Sequence, residues 1–391
     1  MTSVGTGVGT AGVAETAAGR AVETAATGID GHPQLAIVFA ATRYDYRRVV
    51  ETVRAETDRA PLVGCSTAGE FTGAGPTDGS VTVTLVAGEE FEAHVGLGEE
   101  LSADPEAAVA AAADPLPPVA DDDRHHVGIN LHDGLLGRGE EIAMLGYQQR
   151  PVPYVGGSAA DDFAMSETVV FANDEVATDA VVLASLVADR PFGRAVDHGH
   201  EPFGDSLTVT DADGSVVETL NGRPAFEVWR ETVEQRATGV GVDLDGLSPD
   251  DDAFEELLTR FEFGLETGDD EFKIRWPGLT RTTEGPLRFA TQIPEGTELF
   301  VVDSDTEAQL DTARRVTEAA VAPVDPAGGV AFDCICQGLV LGDEFGTAVE
   351  QMSETLSAPI AGVQTYGEVA VAPDDMRAYH NTTTSLLVFP E

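Results

Sequence analysis

Three short stretches end on a carboxylate, and their common spelling is the first chemical signal in the chain. Residues 61–70 read PLVGCSTAGE, residues 153–162 read PYVGGSAADD, and residues 359–368 read PIAGVQTYGE. Aligned without gaps, each begins with Pro, carries Gly at the fourth place (Gly64, Gly156, Gly362) and ends on Glu70, Asp162 or Glu368. Hydroxyl groups and a further acid stand beside these ends: Ser66 and Thr67, Ser158 and Asp161, and Thr365. A carboxylate at a glycine bend can hold an ammonium group, while bare backbone N–H groups or an arginine such as Arg288 can hold a carboxylate. Two more polar pairs fit such a site. Asp133-Gly134 sits between an apolar run and a helical pattern, and His380-Asn381 opens the last apolar run.

Covalent chemistry has two starting points, Cys65 and Ser158. Either needs a histidine base nearby in space, and His132 and His380 are the candidates in motif positions. No G-x-S-x-G elbow and no GxxxxGK[ST] phosphate loop is present. Cys334-x-Cys336 with distant Cys65 has the wrong spacing for a zinc knuckle. On a strand, residues 334 and 336 would share one face, so core packing is the simpler account. His125 and His126 read as an edge feature, because neighbours on a strand point to opposite faces. No metal or cofactor is expected.

What positions these residues is a unit that recurs. Each stretch follows an apolar run (LAIVFAA at 35–41, VGINL at 127–131, GGVAFDC at 328–334) and a helical pattern, giving strand, helix, strand. Pro suits a strand start because it lacks the N–H a ladder needs. Gly at the bend suggests close backbone approach or positive φ. Ligands in open parallel sheets gather outside the carboxyl ends of strands, which is where Glu70, Asp162 and Glu368 fall.

The remaining elements read as follows. SVGTGVG is a strand and 13–27 an Ala-rich helix. SVTVTLVAG (80–88) alternates as a strand with one covered face, with FEAHVGLG (91–98) as its hairpin partner or near neighbour. The acidic run Asp121–Asp123 reads as a surface connection, and Gly139–Gln149 as a helix. TVVFAND (168–174) and AVVLASLVA (180–188) read as an antiparallel pair, and residues 206–222 as a hairpin turning at DADG. A helix with Pro224 in its first turn follows, and residues 306–322 form an amphipathic helix. The expected architecture is two-domain α/β with mixed sheets, divided as 1–221 and 222–391, built on repeated strand–helix–strand units with added antiparallel hairpins.

Composition narrows the setting. The 391 residues carry a formal net charge of −47, and Lys273 is the sole lysine. Such a surface fits a chain adapted to molar salt, as in a halophilic archaeon, because salt screens its self-repulsion. It argues against nucleic acid and anionic membrane as partners. No run has the roughly 18–20 apolar residues of a membrane span. Three cysteines cannot all pair, and no basic, apolar leader opens the chain. A reduced, cytoplasmic protein is the expectation.

In this order the motifs resemble the FIST family, found in F-box and intracellular signal transduction proteins. The N-terminal portion of that family is similar to GCSTAGE (64–70), HDG (132–134) and VGGSAADD (155–162); its C-terminal portion is similar to Cys334, GVQTYGE (362–368) and His380-Asn381-Thr382-Thr383. One departure is Gln337, where members often place an Arg soon after the cysteine. The resemblance implies a sensory module, not an enzyme. It implies a small-molecule ligand, amino acids being the usual suggestion, and a signalling partner on another chain. Two other readings stand beside it: a hydrolase or transferase using Cys65 or Ser158, and a non-catalytic interaction scaffold.

Overall fold

The computed structural model describes residues 1–119, 123–239, 244, 246–268, 271–373 and 375–391. Most of the Asp121–Asp123 run lies outside the described residues.

The chain lays down one pattern three times. The first repeat is β1 (Ser3–Gly9), α1 (Ala14–Ala26), β2 (Leu35–Ala41), α2 (Tyr46–Glu56), β3 (Leu62–Thr67), the short pair β4 (Glu70–Thr72) and β5 (Gly75–Thr77), and β6 (Val81–Ala87). The second is β7 (Glu92–Glu99), α3 (Pro105–Ala113), β8 (His125–His132), α4 (Gly139–Gln149), β9 (Tyr154–Ser158), β10 (Val170–Ala172), β11 (Glu175–Ala177) and β12 (Ala180–Ala188). The third opens with β13 (Gly193–Asp197) and is then interrupted. The interruption holds β14 (Glu201–Asp213), β15 (Val216–Leu220), β16 (Arg223–Pro224), α5 (Ala225–Gly239), α6 (Asp252–Arg260), β17 (Phe261–Gly268), β18 (Glu271–Arg275), β19 (Leu287–Arg288) and β20 (Glu298–Asp303). The repeat resumes with α7 (Thr306–Val321), β21 (Pro326–Cys334), α8 (Ile335–Leu341), α9 (Phe345–Leu356), β22 (Ile360–Thr365), β23 (Glu368–Ala372), β24 (Asp375–His380) and β25 (Thr384–Pro390).

Each repeat founds one sheet and lends two strands to another. The pairs β2/β3, β8/β9 and β21/β22 are parallel, as the strand–helix–strand pattern requires. After each bend the chain leaves its own sheet. β4 pairs with β22, β23 with β9, and β10 with β3. The exchange closes after three steps, so the repeats form a ring. β6, β12 and β25 then return antiparallel beside β2, β8 and β21.

The inner faces of the three sheets share one core. Ile37, Phe39 and Val63 meet Ile129, Leu131 and Val155, and Val330, Phe332 and Val363. The outer faces carry the helices, each with a separate apolar layer. The edge strands explain their own spelling. In SVGTGVG every second residue is Gly, and a Cβ on Gly5, Gly7 or Gly9 would lie about 2 Å from a carbonyl oxygen of α1. Alternate glycines thus let an Ala-rich helix settle on the strand backbone. Gly96 and Gly98 of β7 do the same under α3, and Gly193 of β13 under α7.

The interrupting segment has its own core, in which Trp229, Phe254, Phe261 and Phe263 are fully buried. Its sheet runs β16-β15-β14-β20-β17-β18, with β19 against β15. The 221/222 division falls inside this segment, between β15 and β16.

Several expectations need correction. β7 is not the hairpin partner of β6, since β6 lies in the first sheet and β7 pairs with β12 in the second. β10 pairs with β11 and β3, not with β12. β6 is buried on both faces, its Thr82 and Thr84 included, because sheet core lies on one side and helices on the other. Cys334 and Cys336 do not share a strand face, because the strand ends at Cys334 and Ile335 begins α8.

Candidate functional site

The carboxylates at two of the bends serve the ring itself. Glu70 opens β4, is 1% exposed, and accepts hydrogen bonds from the Thr67 hydroxyl and from Ser80, through N–H at 3.1 Å and Oγ at 2.7 Å. Burial pushes its carboxyl up to about 7. Glu368 opens β23 in the same manner, accepting from Thr365 at 2.8 Å and Thr383 at 2.7 Å. It is fully buried, and burial raises its pKa well above the usual carboxylate range. Each acid ties the bend to the strand that returns.

The second repeat departs from this pattern. Glu70 pairs with Val363, and Glu368 with Gly157, each one residue past the bend glycine; the residue paired one past Gly64 is Val170. The polar trio Thr–Glu–Ser/Thr is therefore Ala159, Val170 and Ala180 here. Asp162 is not the equivalent of the two glutamates. It is exposed, at φ +56, and accepts from the Thr42 hydroxyl at 2.6 Å. The gapless alignment hid an extended bend, residues 161–169, that the other repeats lack.

Asp161 folds that extension. Its carboxylate accepts the N–H groups of Met165, Ser166 and Glu167 at 2.7–2.9 Å and the Tyr366 phenol at 2.5 Å. Burial pushes the carboxyl up, but the phenol and the three N–H groups outweigh it and hold it low. The Tyr366 oxygen in turn accepts the Phe163 N–H at 2.8 Å. Ser66 joins the same anchor, accepting the Val169 N–H at 3.0 Å. Asp133 accepts from Leu135 N–H at 2.9 Å, the Thr168 hydroxyl at 2.8 Å and Asp179 N–H at 3.0 Å, fixing the loop after β8.

These anchored segments face the interrupting segment across a cleft. Its inner chamber has a volume of about 150 Å³ and is walled by Gly134–Gly137, Phe163, Met165, Trp276, Phe289, Ile335, Cys336, Tyr366 and Asn381, among others. Phe163, Met165, Trp276 and Leu279 are shared with a larger outer chamber of about 790 Å³. Asp252, Glu255, Glu256, Arg260, Arg281 and Asp305 line the outer chamber. The chambers lie past the carboxyl ends of β8 and β21, the place such ligand sites favour.

Of the residues picked from sequence, Asn381 lines the inner chamber. Among the described residues its side-chain amide makes only long contacts, 3.4–3.5 Å, to Tyr366 O, Trp276 N and Thr291 Oγ1. Asp133, Asp161 and Ser66 hold lining segments in place. Glu70, Glu368, Thr67, Thr365 and Asp162 line neither chamber. Arg288 is exposed on β19, and its backbone N–H donates to Thr280. His380 is buried, and neither ring nitrogen has a hydrogen-bond partner among the described residues; burial and nearby cations push its pKa far down, so it stays neutral. The aromatic walls were missed. One signal was available: where the other bends have Ala68 and Ala160, the third has Tyr366.

A second polar group lies beneath the cleft. Ser158 Oγ is 2.8 Å from His132 Nε2, and His132 Nδ1 is 3.1 Å from Asn130 Oδ1. The Tyr379 phenol lies 2.8 Å from the same Ser158 oxygen. All four residues are buried, and burial lowers the His132 pKa to about 3. Cys65 sits in the central core, where burial pushes its thiol up. Among the described residues no group of three or more His, Cys, Asp or Glu could hold a metal ion, and no helix is long and apolar enough to cross a membrane. Gln337 is buried with its amide 2.9 Å from the Thr384 hydroxyl and 2.7 Å from the Asp333 carboxyl.

Comparison with known proteins gives consistent matches. The chain matches the FIST N domain over residues 34–223 and the FIST C domain over residues 225–371. It is 26% identical over 260 residues to an uncharacterized protein of Methanocaldococcus jannaschii, covering 64% of this chain and 49% of the relative. It is 27% identical over 248 residues to an uncharacterized protein of Mycobacterium tuberculosis, covering 60% of each. The chain thus spans about half the length of the first relative and 60% of the second. It belongs to the FIST family, whose domains are associated with sensory function in signal transduction.

Proposed function

We propose that the chain is a sensory module that takes a small molecule of amino-acid chemistry into the two-chambered cleft and signals through a partner protein. The cleft itself carries this reading. It is concave, has no charged residue among those lining its inner chamber, and is furnished with a few charged groups in its outer one, as small-molecule sites are. Two features of its walls support this: the second-repeat bend carries an anchored extension where the other repeats carry a buried acid, and the interrupting segment supplies Trp276 and Phe289. A pure scaffold has no need of such a hollow.

The test is a thermal-shift screen of the full chain in molar KCl against amino acids and related metabolites. A ligand that binds only the folded state raises Tm. At least one compound is expected to do so, and Trp276→Ala is expected to lose the shift. A panel with no stabilising compound would remove this reading.

A second reading rests on the contacts Ser158–His132–Asn130, which have the order nucleophile, base, orienting group. A hydrolase or transferase would use Ser158 in this way. Ser158 is 1% exposed and its hydroxyl is also engaged by Tyr379, so the sensory reading takes precedence. Covalent labelling of Ser158 by a fluorophosphonate, lost in His132→Ala, would reverse that order.

A further inference from the structure

We infer that the cleft selects α-amino acids with a bulky apolar or aromatic side chain; this rests on the cleft being the ligand site. The two chambers differ in the charge of their lining residues. No charged residue lines the inner chamber, whose surface comes from Leu135, Leu136, Trp276, Phe289, Ile335 and Tyr366 with a few other uncharged residues. At about 150 Å³ it has the size of an apolar cavity that accepts a benzene ring. An acidic or basic side chain placed there would lose its hydration and find no counter-charge.

The charged groups stand outside the door. Arg260 is committed, its Nε donating to Asp303 at 3.0 Å. Asp305 is committed as the cap of α7, accepting the Ala308 N–H at 3.0 Å. Arg281 is different. Its guanidinium donates to the carbonyls of Gly278 at 2.6 Å and Thr280 at 2.9 Å, and no described carboxylate pairs with it. Asp252, Glu255 and Glu256, on α6 and lining the same chamber, make no side-chain hydrogen bond among the described residues. A guanidinium with no carboxylate partner and three carboxylates with no cationic partner among the described residues line one chamber, and together they match the two ends of a zwitterion. The side chain of that zwitterion is then placed in the adjoining inner chamber, which shares Phe163, Met165, Trp276 and Leu279 with the outer one.

Calorimetry on the full chain in molar KCl tests this with phenylalanine, leucine, glycine, aspartate and lysine, together with phenylalaninamide. Phenylalanine or leucine is expected to bind at least about tenfold tighter than glycine, since buried apolar groups set that scale. Aspartate and lysine should be weaker still. Arg281→Gln is expected to weaken phenylalanine about tenfold, by removing a charge-assisted contact, and to leave phenylalaninamide unchanged. Binding with no side-chain preference, or phenylalanine indifferent to Arg281→Gln, overturns the selectivity while the cleft survives as a binding site. Absence of binding by every amino acid, with a stabilising metabolite of another class found in the thermal screen, overturns the ligand class. Absence of any ligand at all overturns both.

Discussion

Glu70 holds the bend of the first repeat at the cost of a strained ionisation. Burial raises its carboxyl from 4.5 to about 7, although Thr67 and Ser80 donate to it. The folded state therefore keeps a proton that the unfolded chain releases at lower pH. Between about pH 4.5 and 7 the folded form binds more protons, so this group's contribution to stability falls as pH rises, by roughly 3 kcal/mol across that window. Asp333, pushed up to about 7 by its own burial, acts in the same direction. Glu70→Gln keeps the size and an acceptor oxygen but cannot ionise. Compared by urea unfolding, wild type and Glu70→Gln should be close at pH 5, and the variant should gain relative to wild type at pH 8. Parallel stability curves across that range would mean that Glu70 ionises freely in the fold. The sequence showed that these acids matter but not why. A carboxylate beside hydroxyls looks alike whether it faces a ligand or, as with Thr67 and Ser80, its own strand ends.

Elements whose cause is local could be read directly. The α4 helix is read at its observed limits, Gly139–Gln149, and β1 at Ser3–Gly9. The glycines of β1 make a testable case. Gly7→Val would place Cβ about 2 Å from Ala21 O, a backbone atom that cannot move alone. Overpacking costs about 1–3 kcal/mol where side chains give way, so a loss at or above the top of that range is expected. A fall in the urea midpoint checks it, with exposed Gly12→Val as the control, since a Cβ there meets nothing within 4 Å. Elements whose partners are distant could not be read. β10 has the pattern of any short strand, yet it pairs with β3, more than one hundred residues earlier. Period-2 alternation names a covered face and never the neighbour, so the exchange between sheets left no mark in the sequence. The cleft was hidden for the same reason, because Trp276 and Phe289 reach it from a segment inserted between β13 and α7.

At the scale of the whole molecule the ring links halves that the family domains separate in sequence. The boundary near residue 224 lies inside the interrupting segment, while the strand exchange runs across it. A chain ending at residue 221 would leave β4 without β22 and β9 without β23. It would also uncover the central core where Val330, Phe332, Val363, Leu387 and Phe389 now close it. At about 1.5–3 kcal/mol for each large apolar side chain, that loss is on the order of 10 kcal/mol, comparable with the whole stability of a domain. Residues 1–221 alone in molar KCl are therefore expected to lack a cooperative unfolding transition and the near-ultraviolet dichroism of packed aromatics. Because the joining contacts are ladder hydrogen bonds and apolar packing, co-expression with residues 222–391 should restore both properties in a one-to-one complex. A 1–221 fragment that unfolds cooperatively by itself would show that the first two sheets hold without the third, and that the exchanged strands decorate the ring instead of closing it.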